Sequence, residues 1–175
     1  MHTDERYPIG KYEPKPFSEE QKQEWLKAIA QLPEELEIEV QHLDAAQLNT
    51  PYREGGWTVQ QLIHHMADSH MNAYIRFKLG LTENKPTIKP YNEKAWALLP
   101  DNDTVPINVS LTLLHALHKR WHATMKDLSQ ADFEITVIHP EQGRELSLWL
   151  LLGLYAWHGK HHKAHIQALK DKMNW

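Results

Sequence analysis

The chain of 175 residues has no cysteine. Disulfides, iron–sulfur clusters, thiolate zinc sites and a cysteine nucleophile are therefore excluded, and any metal site must use nitrogen and oxygen ligands. It also lacks a cluster of Lys or Arg, and its formal net charge is −4. Nucleic-acid binding by counterion release needs many phosphate contacts, so that class is not favoured. Long hydrophobic runs are missing as well. The longest, Leu148 to Trp157, is half of what a bilayer span requires and leads directly into histidines. Residues 1–17 are polar, carry Pro8, Pro14 and Pro16, and have no apolar signal-peptide core. The expectation is a single cytoplasmic domain over residues 1–175, with 1–17 as an extended N-terminal segment and no membrane or nucleic-acid partner.

Histidine is what the chain has in abundance: thirteen, four of them between His158 and His165. Residues four apart on a helix lie one above the other, which lets two imidazoles grip one metal ion. Two such pairs exist here, His158/His162 and His161/His165.

Helix signals are clear along the chain. Ser18-Glu19-Glu20-Gln21 reads as a capping box opening a first helix, which Pro33 should kink or restart. Residues 49–56 form a loop, and Thr58-Val59-Gln60-Gln61 is a second capping box for a helix to about Leu81. The segment 82–106 holds four prolines and one short helix around 93–98. A third helix is expected from about Val109 to Leu128, then a small hairpin within 133–146 turning at Pro140-Glu141-Gln142-Gly143. Ser147 caps a last helix to about Met173. Four long helices with one long connection predict an all-α four-helix bundle of non-simple topology.

Helical phase sorts the histidines. On the last helix, Leu151, Leu154, Tyr155, Ile166 and Leu169 form an apolar stripe, with Lys160, Lys163, Gln167 and Asp171 opposite. His158 and His162 flank the stripe's centre, His165 is also inside, and His161 sits nearer the edge. Phase prefers His158/His162 without excluding His165. A lone inward histidine is usually a hydrogen-bonded core residue, but several on adjacent turns are harder to satisfy that way. On the third helix, His115 and His122 lie well off the Leu114–Leu117–Trp121 stripe, and a solvated face accounts for the His115/His118/His122 set. His42 and His139 lack spacing partners and read as surface residues.

On the second helix, His64 lies almost opposite the Val59–Leu62–Met66–Ala73–Phe77 stripe and is expected to be exposed. His65 lies on a seam of short polar groups, with Thr58, Gln61, Asp68, Ser69, Asn72 and Arg76. That seam reads as the wall of an internal cavity. His70 lies nearer the stripe's centre, so geometry leaves His65 and His70 both open as a third ligand.

The run from Pro51 through Gly55-Gly56-Trp57-Thr58 to His64-His65-Met66-Ala67-Asp68-Ser69-His70 resembles the DinB/YfiT superfamily, its YfiT-like branch in particular. Tyr74-Ile75-Arg76-Phe77-Lys78-Leu79, Gly153-Leu154-Tyr155-Ala156-Trp157-His158 and Tyr7-Pro8-Ile9-Gly10 extend the resemblance over essentially the whole chain. The resemblance implies a four-helix bundle of unusual topology and a homodimer. It implies one divalent metal ion per subunit, zinc or else nickel, held by His65, His158 and His162. It further implies a metal-dependent hydrolase acting on a small molecule, in which the three-histidine centre activates a bound water. A related possibility is an S-transferase that conjugates bacillithiol or another low-molecular-weight thiol to an electrophile. A non-catalytic metal-binding module is the third. No His-Glu-x-x-His motif supplies a helix-borne general base, and catalytic residues are not assigned. Asp68, Arg53, Trp57, Asn72 and Arg76 are candidates to line the pocket.

Overall fold

The computed structural model describes residues 5–141 and 143–175, so Met1–Asp4 of the expected N-terminal segment and Gln142 of the expected turn lie outside the described residues. Four long helices dominate: α1 (Glu19–Val40), α3 (Val59–Thr82), α6 (Ile107–Met125) and α8 (Leu148–Met173). Between them lie the single-turn helices α2 (Ala45–Leu48), α4 (Glu93–Trp96) and α5 (Asp101–Thr104), then α7 (Gln130–Glu134) and a hairpin of β1 (Thr136–His139) with β2 (Arg144–Ser147).

The chain's polar punctuation starts these helices. Ser18 and Ser147 accept from the backbone N–H groups of Gln21 and Leu150. Thr58 and Gln61 form a reciprocal capping box. Asp44 and Gln47 form another, which opens α2 in a stretch where no helix was expected. α1 runs unbroken past Pro33, so the expected restart does not occur. The hairpin is shorter than expected: Thr136 pairs with Ser147 and His139 with Arg144, while the residues before it form α7.

α1 packs on α8 and α6, and α3 packs on the same two. α1 and α3, and likewise α6 and α8, are thus diagonal to one another, while the consecutive pair α3 and α6 are neighbours. Directions follow from side-chain neighbours. Leu32 of α1 meets Gly159 of α8, and Glu39 meets Lys170, so α1 and α8 run parallel. On α3, His64 meets Ser110 and Phe77 meets Trp121 of α6, so these two are also parallel. His65 near the start of α3 meets His158, while Gly80 near its end meets Leu148, so α3 opposes α8. The order is up, down, down, up. A parallel α3–α6 pair needs a connection that travels back along the bundle, which is the work of residues 83–106.

That connection explains a correction. His64, expected at the surface, is buried because α5 and the start of α6 cover it: Nε2 lies 3.0 Å from the Val105 carbonyl and Nδ1 2.7 Å from Ser110 Oγ. The polar seam of α3 likewise ties down the connection. Gln61 donates to the Ala97 carbonyl and Gln60 to that of Asn102. Part of what was read as cavity wall is a hydrogen-bonded dock.

The N-terminal segment runs along α8 in the opposite direction. Trp149 and Trp157 donate their indole N–H groups to the carbonyls of Lys15 and Gly10. Ion pairs Lys160–Glu24, Lys163–Glu35 and Lys170–Glu39 stitch the polar side of α8 to α1. No helix among the described residues is long and apolar enough to cross a membrane.

Gly153 marks the closest approach of α8 to the N-terminal segment and α1. A Cβ there would meet the Tyr12 hydroxyl and would stand 2.5 Å from a ring carbon of buried Trp25. Gly153→Val is expected to destabilise the fold by about 1–3 kcal/mol, despite removing a helical glycine, because overpacking outweighs propensity. Urea unfolding checks this, and an unchanged or raised midpoint would contradict it.

Candidate metal centre

The antiparallel α3–α8 seam brings His65, His158 and His162 together, with one nitrogen of each within 4.8 Å of the others. His158 Nε2 lies 3.3 Å from His65 Nε2 and 3.1 Å from His162 Nε2. Nitrogens each held 2.0–2.1 Å from one tetrahedral ion are about 3.3 Å apart, so the donor set fits a metal such as zinc. Three imidazole ligands are also the donor number of sites that keep a coordination position open. His65 and His162 are buried and His158 half-buried.

Burial sets the protonation of this cluster. It pushes the His65 imidazole down to about 4 from its ordinary 6.5. Burial, reinforced by neighbouring imidazoles, holds His158 and His162 well below the usual histidine range. Neutral imidazole is the form that binds a metal, so the site is prepared for one without first losing protons.

The three rings open on a cleft of about 620 Å³ whose walls include Tyr52, Arg53, Trp57 and Lys94. His161 and His165 also line it. Both are buried, although His161 was expected nearer the edge. Its ring stacks on Trp157 at 4.5 Å between centroids, and its Nε2 lies 3.2 Å from that of His165. Tyr7 of the N-terminal segment closes one side. Arg53 donates to the neighbouring Glu54 carbonyl and lies over the Tyr52 ring, while its Nε is buried without a hydrogen-bond partner among the described residues.

Other candidates fall elsewhere. Asp68 and Asn72 do not line the cleft. The Asp68 carboxyl is raised to about 6 by burial and by Asp101, so it answers to the long connection. Arg76 donates to the Tyr155 hydroxyl at 2.7 Å and lines a smaller cavity that reaches His158 from the other side. His115 is exposed and pairs with Glu37, whereas His118 is 1% exposed, which overturns the expectation of a solvated face for the whole set. The signal for His118 was present: it lies four residues after Leu114 and three before Trp121, on the stripe itself. His70 is fully buried and touches His158 through Nδ1 of that ring, the side away from His65.

A DinB superfamily model matches residues 19–166. The chain belongs to the DinB superfamily. A Bacillus cereus (strain ATCC 10987 / NRS 248) protein named "Putative metal-dependent hydrolase" is 54% identical over 174 residues, covering 99% of each chain. A protein of the same name from Bacillus anthracis (strain CDC 684 / NRRL 3495) is 53% identical over the same coverage. Among solved structures, YfiT from Bacillus subtilis matches with a TM-score of 0.96 at 47% identity, covering 99% of both chains. It is described as "a probable metal-dependent hydrolase with an unusual four-helix bundle topology". The up, down, down, up order is the corresponding feature here.

The depressed histidines give the metal-free protein a defined acid sensitivity. His65 and His118 titrate near 4 in the fold, against about 6.5 in the unfolded chain. Below 6.5 the unfolded state takes up protons that the folded state refuses. Stability is therefore fully present above 6.5 and falls as pH drops towards 4, by about 1.4 kcal/mol per pH unit for each such histidine. Urea midpoints of chelator-treated protein at pH 7.5, 6 and 5 should decline steadily, and a flat series would contradict the assignment.

Proposed function

We propose that this chain is a metal-dependent hydrolase of a small molecule, with the metal held by His65, His158 and His162. The observation that carries this reading is the convergence of three neutral Nε2 atoms, from two opposed helices, at the floor of a cleft. A divalent cation, zinc in the first instance and nickel in the second, would supply Lewis acidity and bring the pKa of water towards neutrality.

The chain's own residues supply the rest. Trp57 packs on His65 with ring centroids 4.5 Å apart, holding that ring and narrowing the access of bulk water. Arg53 and Lys94 on the walls give the cleft a cationic side, with Glu93 as an acidic neighbour. Among the described residues Arg53 has no carboxylate partner, and its charge suits a carboxylate or phosphate on the substrate. His165 is held down to about 4, first by burial and then by His161 and Arg53, so it lines the cleft wall as a neutral imidazole near pH 7.

A thiol S-transferase would use the same centre. Because the chain has no cysteine, its thiol would come from solution, as bacillithiol or another low-molecular-weight thiol. The working unit in either case is a cytoplasmic homodimer, for which light scattering is the direct measurement.

Protein purified without an affinity tag should carry about one zinc or nickel per chain, as a three-histidine site would. His158→Ala and His162→Ala should each bring this close to zero, while unchanged content in both variants would sink the site. Incubation with a panel of esters and amides, with and without a low-molecular-weight thiol, separates the reactions. Thiol-independent hydrolysis supports the proposal, thiol-dependent adducts alone replace it with the transferase, and neither activity with metal bound leaves a binding module. Arg53→Ala should raise KM for anionic substrates about tenfold or more with little change for neutral ones, the loss of one charge-assisted hydrogen bond.

A further inference from the structure

Among the buried imidazoles that the proposed centre does not use are His70 on α3 and His118 on α6. They form a chain. His118 Nδ1 lies 2.6 Å from the carbonyl oxygen of Ile29 on α1. His118 Nε2 lies 2.9 Å from His70 Nδ1, and the two rings are nearly parallel, at 14°. His70 Nε2 then lies 3.2 Å from His158 Nδ1.

Every proton in this chain can be placed from its far end. A carbonyl only accepts, so His118 Nδ1 carries the hydrogen. The Ile29 carbonyl is available because Pro33, four residues on, has no N–H to donate to it, although α1 continues unbroken. Neutral His118 has Nε2 left as an acceptor, so His70 Nδ1 donates to it. Neutral His70 has Nε2 left as an acceptor, so His158 Nδ1 donates in turn. His158 Nε2 is then a bare lone pair, facing His65 and His162.

Neutrality of the two inner rings follows from their surroundings. His70 is enclosed edge-on by Trp121 and Tyr155, and the groups that act on it electrostatically are the other imidazoles. An imidazolium there would be a buried charge without a counter-ion.

We infer that His70 and His118 are positioning residues that lock His158 in the Nδ1–H tautomer, through a hydrogen-bond chain anchored on the carbonyl that Pro33 leaves free. The chain ends on an oxygen that has no proton to pass on, so it orients rather than conducts. His162 differs: its Nδ1 is buried with no hydrogen-bond partner among the described residues, so its tautomer is not fixed in this way. This inference rests on the reading of His158 as a ligand, and it explains how that ring is kept ready for a metal.

Long-range proton–nitrogen NMR of the histidine rings in metal-free protein at pH 7.5 tests the lock without any substitution. His118, His70 and His158 should all show Nδ1–H, and a dominant Nε2–H form of His158 would overturn the inference. Metal affinity, measured by competition with a zinc chelator, tests its consequence. His118→Phe keeps the volume but removes the hydrogen bonds, and should weaken zinc binding about 10–100-fold, as loss of an outer-shell partner does. His118→Gln, which can donate to Ile29 and accept from His70, should recover most of that loss. Wild-type affinity in a folded His118→Phe protein would overturn the inference. If the three Nδ1–H signals are present but wild-type protein takes up no zinc, the lock stands and the metal reading fails.

Discussion

A buried neutral imidazole has one donor and one acceptor, and both need partners. Among the described residues seven histidines are buried, and His158 beside them is half-buried, so the pairing of their nitrogens constrains how the four long helices meet. His118 joins α6 to α1, His70 joins α3 to α6, and His158 joins α8 to both nitrogens that α3 offers. His64 joins α3 to the long connection and to the first turns of α6. A bundle built on leucine alone could slide in register at little cost. Here a shift of one turn would strand several ring nitrogens, each costing about 1–3 kcal/mol unpaired.

The diagonal placement of α1 against α3 and of α6 against α8 serves the same end. The second and last long helices are sequence-distant, yet their antiparallel contact is what faces His65 with His158 and His162. The parallel α3–α6 pair forces a long return path, and that path is used: residues 83–106 cover His64, receive the α3 seam, and bring Glu93 and Lys94 to the rim of the cleft. Topology, burial and access to the site are three consequences of one chain route.

Much of this was legible in the sequence because it is local. Ser18, Thr58 and Ser147 fix helix starts through hydrogen bonds spanning three residues, and their positions are read directly from the chain. Helical phase also separates His158 and His162 from the lysines opposite. What phase could not do was choose between His65 and His70, and the structure makes the reason plain: both reach His158, one at Nε2 and the other at Nδ1. The burial of His64 was illegible for a different reason, since it depends on where a proline-rich connection lies and not on the face of its own helix. His118 was a misreading of a signal that existed. Grouping it with His115 and His122 by spacing hid its place on the apolar stripe.

Pro33 shows most clearly how a local rule acquires its meaning from tertiary structure. By sequence it is a helix breaker, and its cost inside a helix is about 3 kcal/mol. Part of that cost is an unsatisfied carbonyl at Ile29, and this part is recovered when His118 donates to the oxygen. The recovery is directional: the carbonyl accepts and never donates, so it imposes one tautomer on His118, and through it on His70 and His158. An alanine at position 33 would restore an ordinary helical N–H there and place a second donor on the same oxygen. The proline is thus a defect in α1 taken alone, but in the assembled bundle it supplies the fixed end from which the proton order of three linked rings is set.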